Sequence, residues 1–173
     1  MILGVLSDSH GRVDRVETAL KLLDEKGATA LVHCGDIGDE RVFEALSGRR
    51  AWFVWGNCDI PDPALARYAA SLGLTAPTGA PTFIEADGKQ IAVFHGHESA
   101  FERLVAELER GGDGSAALGR SIHYLLHGHT HVAKDVRVGR VRIVNPGALK
   151  RAAAYTVATL DAAADVVRHW VIE

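Results

Sequence analysis

Short apolar runs, each ending in a polar stop that contains glycine, set the rhythm of this chain. Ile2 to Ser7 is too short for a helix and runs into Asp8, which reads as a fully buried strand. Val13, Val16, Ala19, Leu20 and Leu23 then recur at intervals of three and four, predicting an amphipathic helix closed by Gly27. Ala30 to His33 and Ala51 to Trp55 are further strands of the first kind, with a helical Glu40 to Leu46 between them. This βαβα order predicts a parallel sheet with helices packed on it.

The second half is mostly β. No element is assigned to the stretch from Pro61 to Pro81, which is dotted with Pro and Gly. Thr82 to Ala86 and Gln90 to His95 flank an Asp87-Gly88 turn as a hairpin. Ser99 is the expected N-cap of a helix carrying Phe101, Leu104, Val105 and Leu108, stopped by Gly111-Gly112. Ile122 to Leu126 reads as another buried strand. Val132 to Val138 with Val141 to Val144, and Ala153 to Leu160 with Val166 to Ile172, complete two more hairpins. With no linker or internal repeat, these strands form two sheets packed together with helices on their outer faces, in one α/β domain over residues 1–173.

Composition narrows the function. The 173 residues are 47% apolar and 24% charged, ordinary for a globular chain that buries a core without disulfides. A net charge of -3 provides no basic field for stable nucleic-acid binding. No apolar run approaches the roughly 20 residues of a membrane span, and the amino terminus has no export signal. The expectation is a cytoplasmic protein with Cys34 and Cys58 reduced. The nine histidines are the anomaly, because six of them, His95, His97, His123, His127, His129 and His131, are clustered.

The chemistry collects where the apolar runs stop: Asp8-Ser9-His10, Gly35-Asp36, Gly56-Asn57-Cys58-Asp59, His95-Gly96-His97 and His127-Gly128-His129-Thr130-His131. Ligands of open α/β sheets gather beyond the carboxyl ends of strands. Imidazole mixed with carboxylate and amide oxygen suits manganese, iron, zinc or cobalt better than the all-oxygen cages of magnesium or calcium. Asp8, His10, Asp36, Asn57, His95, His129 and His131 are too many for one four-coordinate ion, so two ions sharing a carboxylate fit better. His33, His123 and His169 lack such context and read as surface or satisfied core residues. Cys34, Trp52, Phe53, Trp55 and Phe94 read as core.

In this order, Asp8-x-His10, Gly35-Asp36, Gly56-Asn57-x-Asp59, His95-Gly96 and Gly128-His129-x-His131 resemble the motif set of calcineurin-like metallophosphoesterases. The short length and the Gly-Asn-Cys-Asp variant resemble the small YfcE-type phosphodiesterase branch. The resemblance implies a four-layer αββα sandwich of two mixed β-sheets and a dinuclear centre. Asp8, His10, Asp36 and His131 would hold one divalent ion, and Asp36, Asn57, His95 and His129 the other. Manganese is the first candidate, with nickel, zinc, iron and cobalt behind it. The implied reaction is hydrolysis of a small phosphate ester by a hydroxide shared between the ions.

Two positions depart from the family. Cys58 stands where many members carry the histidine held to protonate the leaving group; a thiol can donate a proton but is not tuned like imidazole, so either His97 takes over or the enzyme favours good leaving groups such as aryl esters, with Cys58 and Asp59 as further catalytic candidates. Ala148 follows Asn145-Pro146-Gly147, where a serine is common. Asn57 and Arg12 are candidate phosphate contacts. The alternatives are a protein-interaction scaffold of the same fold, like the retromer subunit, and a structural metal site. All seven ligand positions are filled, which favours the enzyme, and structural zinc sites are usually richer in Cys. Exposed sheet edges leave a homodimer open.

Overall fold

The computed structural model describes residues 1–173. One five-stranded sheet has the order β10-β9-β1-β2-β3 and the other β4-β5-β6-β8-β7. In chain order the strands are β1 (Ile2–Leu6), β2 (Ala30–His33), β3 (Ala51–Phe53), β4 (Thr82–Ala86), β5 (Lys89–Val93), β6 (Tyr124–Leu126), β7 (Lys134–Val138), β8 (Val141–Asn145), β9 (Thr156–Asp161) and β10 (Val166–Val171). Both sheets are mixed: β1-β2-β3 and β5-β6-β8 run parallel, while β9, β10, β4 and β7 pair antiparallel to their neighbours.

The period of two along each strand sorts the core into three layers. Leu3, Val5 and Val32 of the first sheet pack on Ile91, Val93 and Leu126 of the second, face to face. The opposite face of the first sheet, with Leu6 and Leu31, is covered by Val16, Leu20 and Leu23 of α1 (Val13–Glu25) and Phe43 and Leu46 of α2 (Glu40–Leu46). Ala92, Leu125 and Ile143 take Leu104 and Leu108 of the long helix over Ser99–Glu109. The helix–sheet–sheet–helix order is that of the expected sandwich. Gly4 explains how closely α1 approaches: a Cβ there would lie 2.9 Å from both Leu23 and Leu31 side chains.

Sequence patterning missed α3 (Pro63–Ser71) inside the Pro- and Gly-dotted stretch. The signal was Asp62-Pro63, an N-cap followed by a proline at the first helical turn, and Asp62 accepts hydrogen bonds from Ala64 and Leu65 N–H at 2.7 and 2.8 Å. Ala69 is its only buried residue, so the helix has almost no apolar stripe to read. The long helix, α4, begins at Ser99 itself with Glu98 at the cap position. The Ser99 expectation is corrected by one residue because the Glu98 carboxylate turns back to accept His95 and Gly96 N–H instead of leaving the cap to Ser99. A short α5 (Ser115–Leu118) follows, its N–H groups held by Glu107. Several strands stop short of the apolar run: Trp55 lies beyond β3, and Val132, 64% exposed, precedes β7. No helix is long and apolar enough to cross a membrane.

Candidate metal centre

Parallel pairing puts the carboxyl ends of β1, β2 and β3 at one end of the first sheet, and those of β5, β6 and β8 at one end of the second. The loops leaving these ends carry every candidate ligand. Backbone bonds stitch them together: Asp8 N–H to Gly35 O at 3.0 Å, His10 N–H to Asp36 O at 2.8 Å, and Gly128 N–H to His95 O at 2.8 Å. Five of the seven candidates, Asp8, His10, Asp36, His129 and His131, have φ between 43° and 67°. Left-handed backbone is costly for non-glycine residues, and it persists where surrounding contacts over-determine it, often at functional sites.

Three groups of ligand atoms lie within 4.8 Å of one another: Asp8, His10 and His131; His10, Asp36 and Cys58; Asp8, Asp36 and His95. His131 Nε2 stands 3.1 Å from Asp8 Oδ1, and His10 Nε2 is 3.5 Å from Asp36 Oδ2. Around His95 Nε2 lie Asn57 Oδ1 at 3.1 Å, Asp36 Oδ1 at 3.5 Å and Asp8 Oδ1 at 4.0 Å. His129 is at the rim: its ring meets that of His95 edge-on with centroids 5.1 Å apart, while its N–H donates to Asp8 Oδ2. Six of the seven candidates thus meet through atom pairs no more than 4.0 Å apart, and the seventh flanks them.

The histidine tautomers are fixed from outside the cluster. A carbonyl only accepts, so His95 Nδ1–H donates to Cys34 O at 2.7 Å and His131 Nδ1–H donates to Arg151 O at 3.3 Å. In its neutral form each ring therefore turns the Nε2 lone pair inward, the orientation a metal ligand needs. Asp8 Oδ1 and His10 Nε2 are buried without a hydrogen-bond partner. Acceptors facing acceptors at these distances repel unless a proton or cation lies between them. The donor set fits divalent cations.

The same crowding moves the titrations. Burial opposes ionisation of Asp36, yet the His95 ring and the Cys58 N–H hold it well below the usual carboxylate range. Burial lowers His95 most of all, but its bonds to Asp36 and to the Cys34 carbonyl, with the charges of Asp8 and Asp36, together outweigh that and leave it raised. Burial lowers His10. Burial, then contact with Asp36, raises the Cys58 thiol, so it keeps its proton at neutral pH; Arg151 pulls the other way.

Other expectations land less directly. His97 is exposed, with its ring centroid 5.4 Å from that of His95. Arg12 forks onto Asp14 at 2.9 and 2.6 Å. Asp59 accepts from Gly56, Gly38 and Ile37 N–H at 2.7, 3.0 and 3.2 Å, which makes it the clamp between two ligand loops. His33 is corrected from a satisfied core residue: Nε2 meets Ser9 Oγ at 2.9 Å, between two ligands, while Nδ1 has no partner. Lys150 and Arg151 were missed. Lys150 Nζ donates to His10 O at 3.3 Å, and both cations follow the Asn145-Pro146-Gly147 loop, the signal by which they could have been found.

Residues 1–165 match the family model of the calcineurin-like phosphoesterase superfamily domain. The chain belongs to that superfamily. Members are metal-dependent, which agrees with the ligand groups above. A phosphodiesterase of Methanocaldococcus jannaschii is 22% identical over 149 residues, 85% of this chain and 83% of the relative. A structure of an archaeal phosphodiesterase superposes with a TM-score of 0.82 at 20% identity, covering 99% of each chain. The YfcE phosphoesterase of E. coli gives 0.66 at 21% identity over the whole of both chains. Vps29 of Chaetomium thermophilum gives 0.67 at 14%, covering 99% of this chain and 95% of its own. These structural likenesses are of fold, and the superfamily's fold carries both phosphoesterases and Vps29.

Proposed function

We propose that this superfamily member is a phosphodiesterase that hydrolyses small phosphate esters with two divalent ions, manganese first among them. The observation that carries the reading is the convergence of inward-facing lone pairs on buried Asp8 and Asp36 carboxylates. Asp8, His10, Asp36 and His131 would hold one ion, and Asp36, Asn57, His95 and His129 the second. When bound, divalent ions supply a nucleophile from water at neutral pH and stabilise the charge of the transferring phosphoryl group.

The chain's own groups do the rest. Ser7 Oγ–H donates to Asp8 Oδ2 at 2.6 Å and holds that carboxylate in place. Lys150 and Arg151 lend positive charge on the side of the β8–β9 loop, where an anionic ester would be drawn in. In the reaction a water oxygen bonds to phosphorus, the bond to the leaving oxygen breaks, and that oxygen takes a proton. His97 at the rim would give it, or Cys58, whose thiol keeps its proton at neutral pH. Asp59 contributes by holding Gly56 and Asn57 against Gly38. The reading treats residues 1–173 as one domain acting in the cytoplasm.

The test is a metal-depleted sample assayed on phosphate mono- and diesters with manganese, nickel, zinc, cobalt or magnesium restored. Diester cleavage restored by manganese and lost in Asp36→Asn is the expected result. No turnover with any ion would leave the Vps29-like scaffold as the better reading.

A further inference from the structure

A cleft of about 470 Å³ opens beside the metal centre, within the roughly 300 to 1,000 Å³ range of small-molecule sites. Its apolar wall consists of Ile37, Phe43, Trp55, Ile60 and Leu65. Cys58 and Asp59 line the end towards the ligands, where Cys58 N–H donates to Asp36 Oδ1 at 2.8 Å. The cleft therefore adjoins the ligand cluster through Cys58.

The wall is preformed. Trp55 meets Phe53 and Phe43 in edge contacts with centroids 5.0 and 6.0 Å apart, and its Nε1–H donates to Pro77 O at 3.1 Å. Asp59 binds N–H groups of both sides, Ile37 and Gly38 on one and Gly56 on the other, so the two walls are tied together. Ile60 is 81% exposed, an apolar side chain left in water at the mouth. The charged rim carries Glu40 and Asp39, the latter paired with Arg41 at 2.8 Å, and no lysine or arginine lines the cleft itself. A ring-sized apolar group would cover Ile60 and Trp55, whereas an anionic group would meet like charge.

We infer that this cleft is a specificity subsite for an uncharged, ring-sized apolar arm of the phosphodiester. The inference rests on the phosphodiesterase reading and adds the chemical class of one ester arm.

The experiment uses the manganese-loaded protein turning over bis(p-nitrophenyl) phosphate, with phenylphosphonate and methylphosphonate as competing inhibitors. Both present the same charged group to the ions, so their ratio isolates the ring. One methylene in an apolar pocket is worth about tenfold or more, so phenylphosphonate should inhibit at least about tenfold more tightly. Ile60→Ser, at an exposed position where folding is safe, should cut that ratio severalfold and leave methylphosphonate inhibition unchanged, and Trp55→Leu should do the same. A carboxylate in the para position of the ring should cancel the gain. Turnover with equal inhibition by the two phosphonates, or a ratio that neither variant moves, would overturn the inference while the hydrolase reading stands. No turnover with any metal would overturn both.

Discussion

Gly56→Ala tests the geometry of the centre with one methyl group. Gly56 lies outside the left-handed region, so alanine is allowed by its backbone and the effect is steric. A Cβ there would lie 2.1 Å from Asp36 Oδ1 and 2.2 Å from Asp36 N. Ordinary carbon contacts lie near 3.5 Å, so Asp36 or the 56–57 backbone must retreat by roughly 1 Å or more. Neither is free, because Cys58 N–H holds the Asp36 carboxylate and Asp59 holds Gly56 N–H. Overpacking of this kind costs about 1 to 3 kcal/mol. That is less than the roughly 5 to 15 kcal/mol of a typical domain, so the variant should still fold. A displacement of about 1 Å in a catalytic array costs on the order of 100-fold in rate. Bound metal measured after gel filtration, diester turnover and urea midpoints should therefore show a folded protein with weakened ion binding and about 100-fold lower activity. Gly79→Ala is the control, with nothing within 4 Å of its Cβ and no left-handed backbone. Full ion stoichiometry and turnover within twofold of the parent in Gly56→Ala would refute the fixed position given to Asp36.

Three further outcomes are expected. Asp59→Asn turns an amide N–H towards one of the three N–H groups that the carboxylate satisfies, and should lower stability by about 1 to 3 kcal/mol in urea melts while weakening ion retention. Arg151→Ala removes a cation beside Cys58 and should raise KM for diesters about tenfold with the ion content unchanged; unchanged KM and kcat would remove Arg151 from the substrate face. Burial pushes His33 down to about 3 from 6.5, so between those values the unfolded chain takes up a proton that the folded chain refuses. Stability of the metal-free protein should thus fall as pH drops below 6.5, by roughly 1.4 kcal/mol per pH unit from His33; urea melts of His33→Asn between pH 6.5 and 5 should have a slope shallower by that amount.

The fold was legible wherever burial imposes a period. Leu3 and Val5 must face one way and Leu6 the other, and α1 must turn Val16, Leu20 and Leu23 to the sheet, so apolar spacing alone locates these elements. It fails for α3, whose single buried residue leaves no stripe, and at strand ends, where Val54 and Phe94 stay buried after their strands have stopped. The candidate ligands stood out for a different reason: His, Asp and Asn recur beside glycine where five apolar runs stop, and the co-occurrence singles them out. Asp59 stood out only as part of the Gly56-Asn57-x-Asp59 motif, and Glu98, Lys150 and Arg151 gave no comparable signal. Charged residues in loops are ordinary, and what distinguishes these is what they touch: Asp59 takes the Ile37 N–H, Lys150 donates to His10 O, Glu98 turns back onto the His95 N–H, and the Arg151 carbonyl accepts from the His131 ring.

That division explains why the centre can be strained without collapsing. Asp8, His10, Asp36, His129 and His131 each sacrifice backbone energy, of order 1 to 2 kcal/mol for a left-handed residue. Without a cation the inward Asp8 Oδ1 and His10 Nε2 have no hydrogen-bond partner, so they do not offset it. The compensation comes from outside the ring: Asp8 N–H on Gly35 O, His10 N–H on Asp36 O, and the His95 and His131 Nδ1–H groups on carbonyls. The ligand positions are thus set by groups that would make the same bonds with or without metal. A centre built this way is preorganised, and a cation entering it would gain its ligands without reordering the chain.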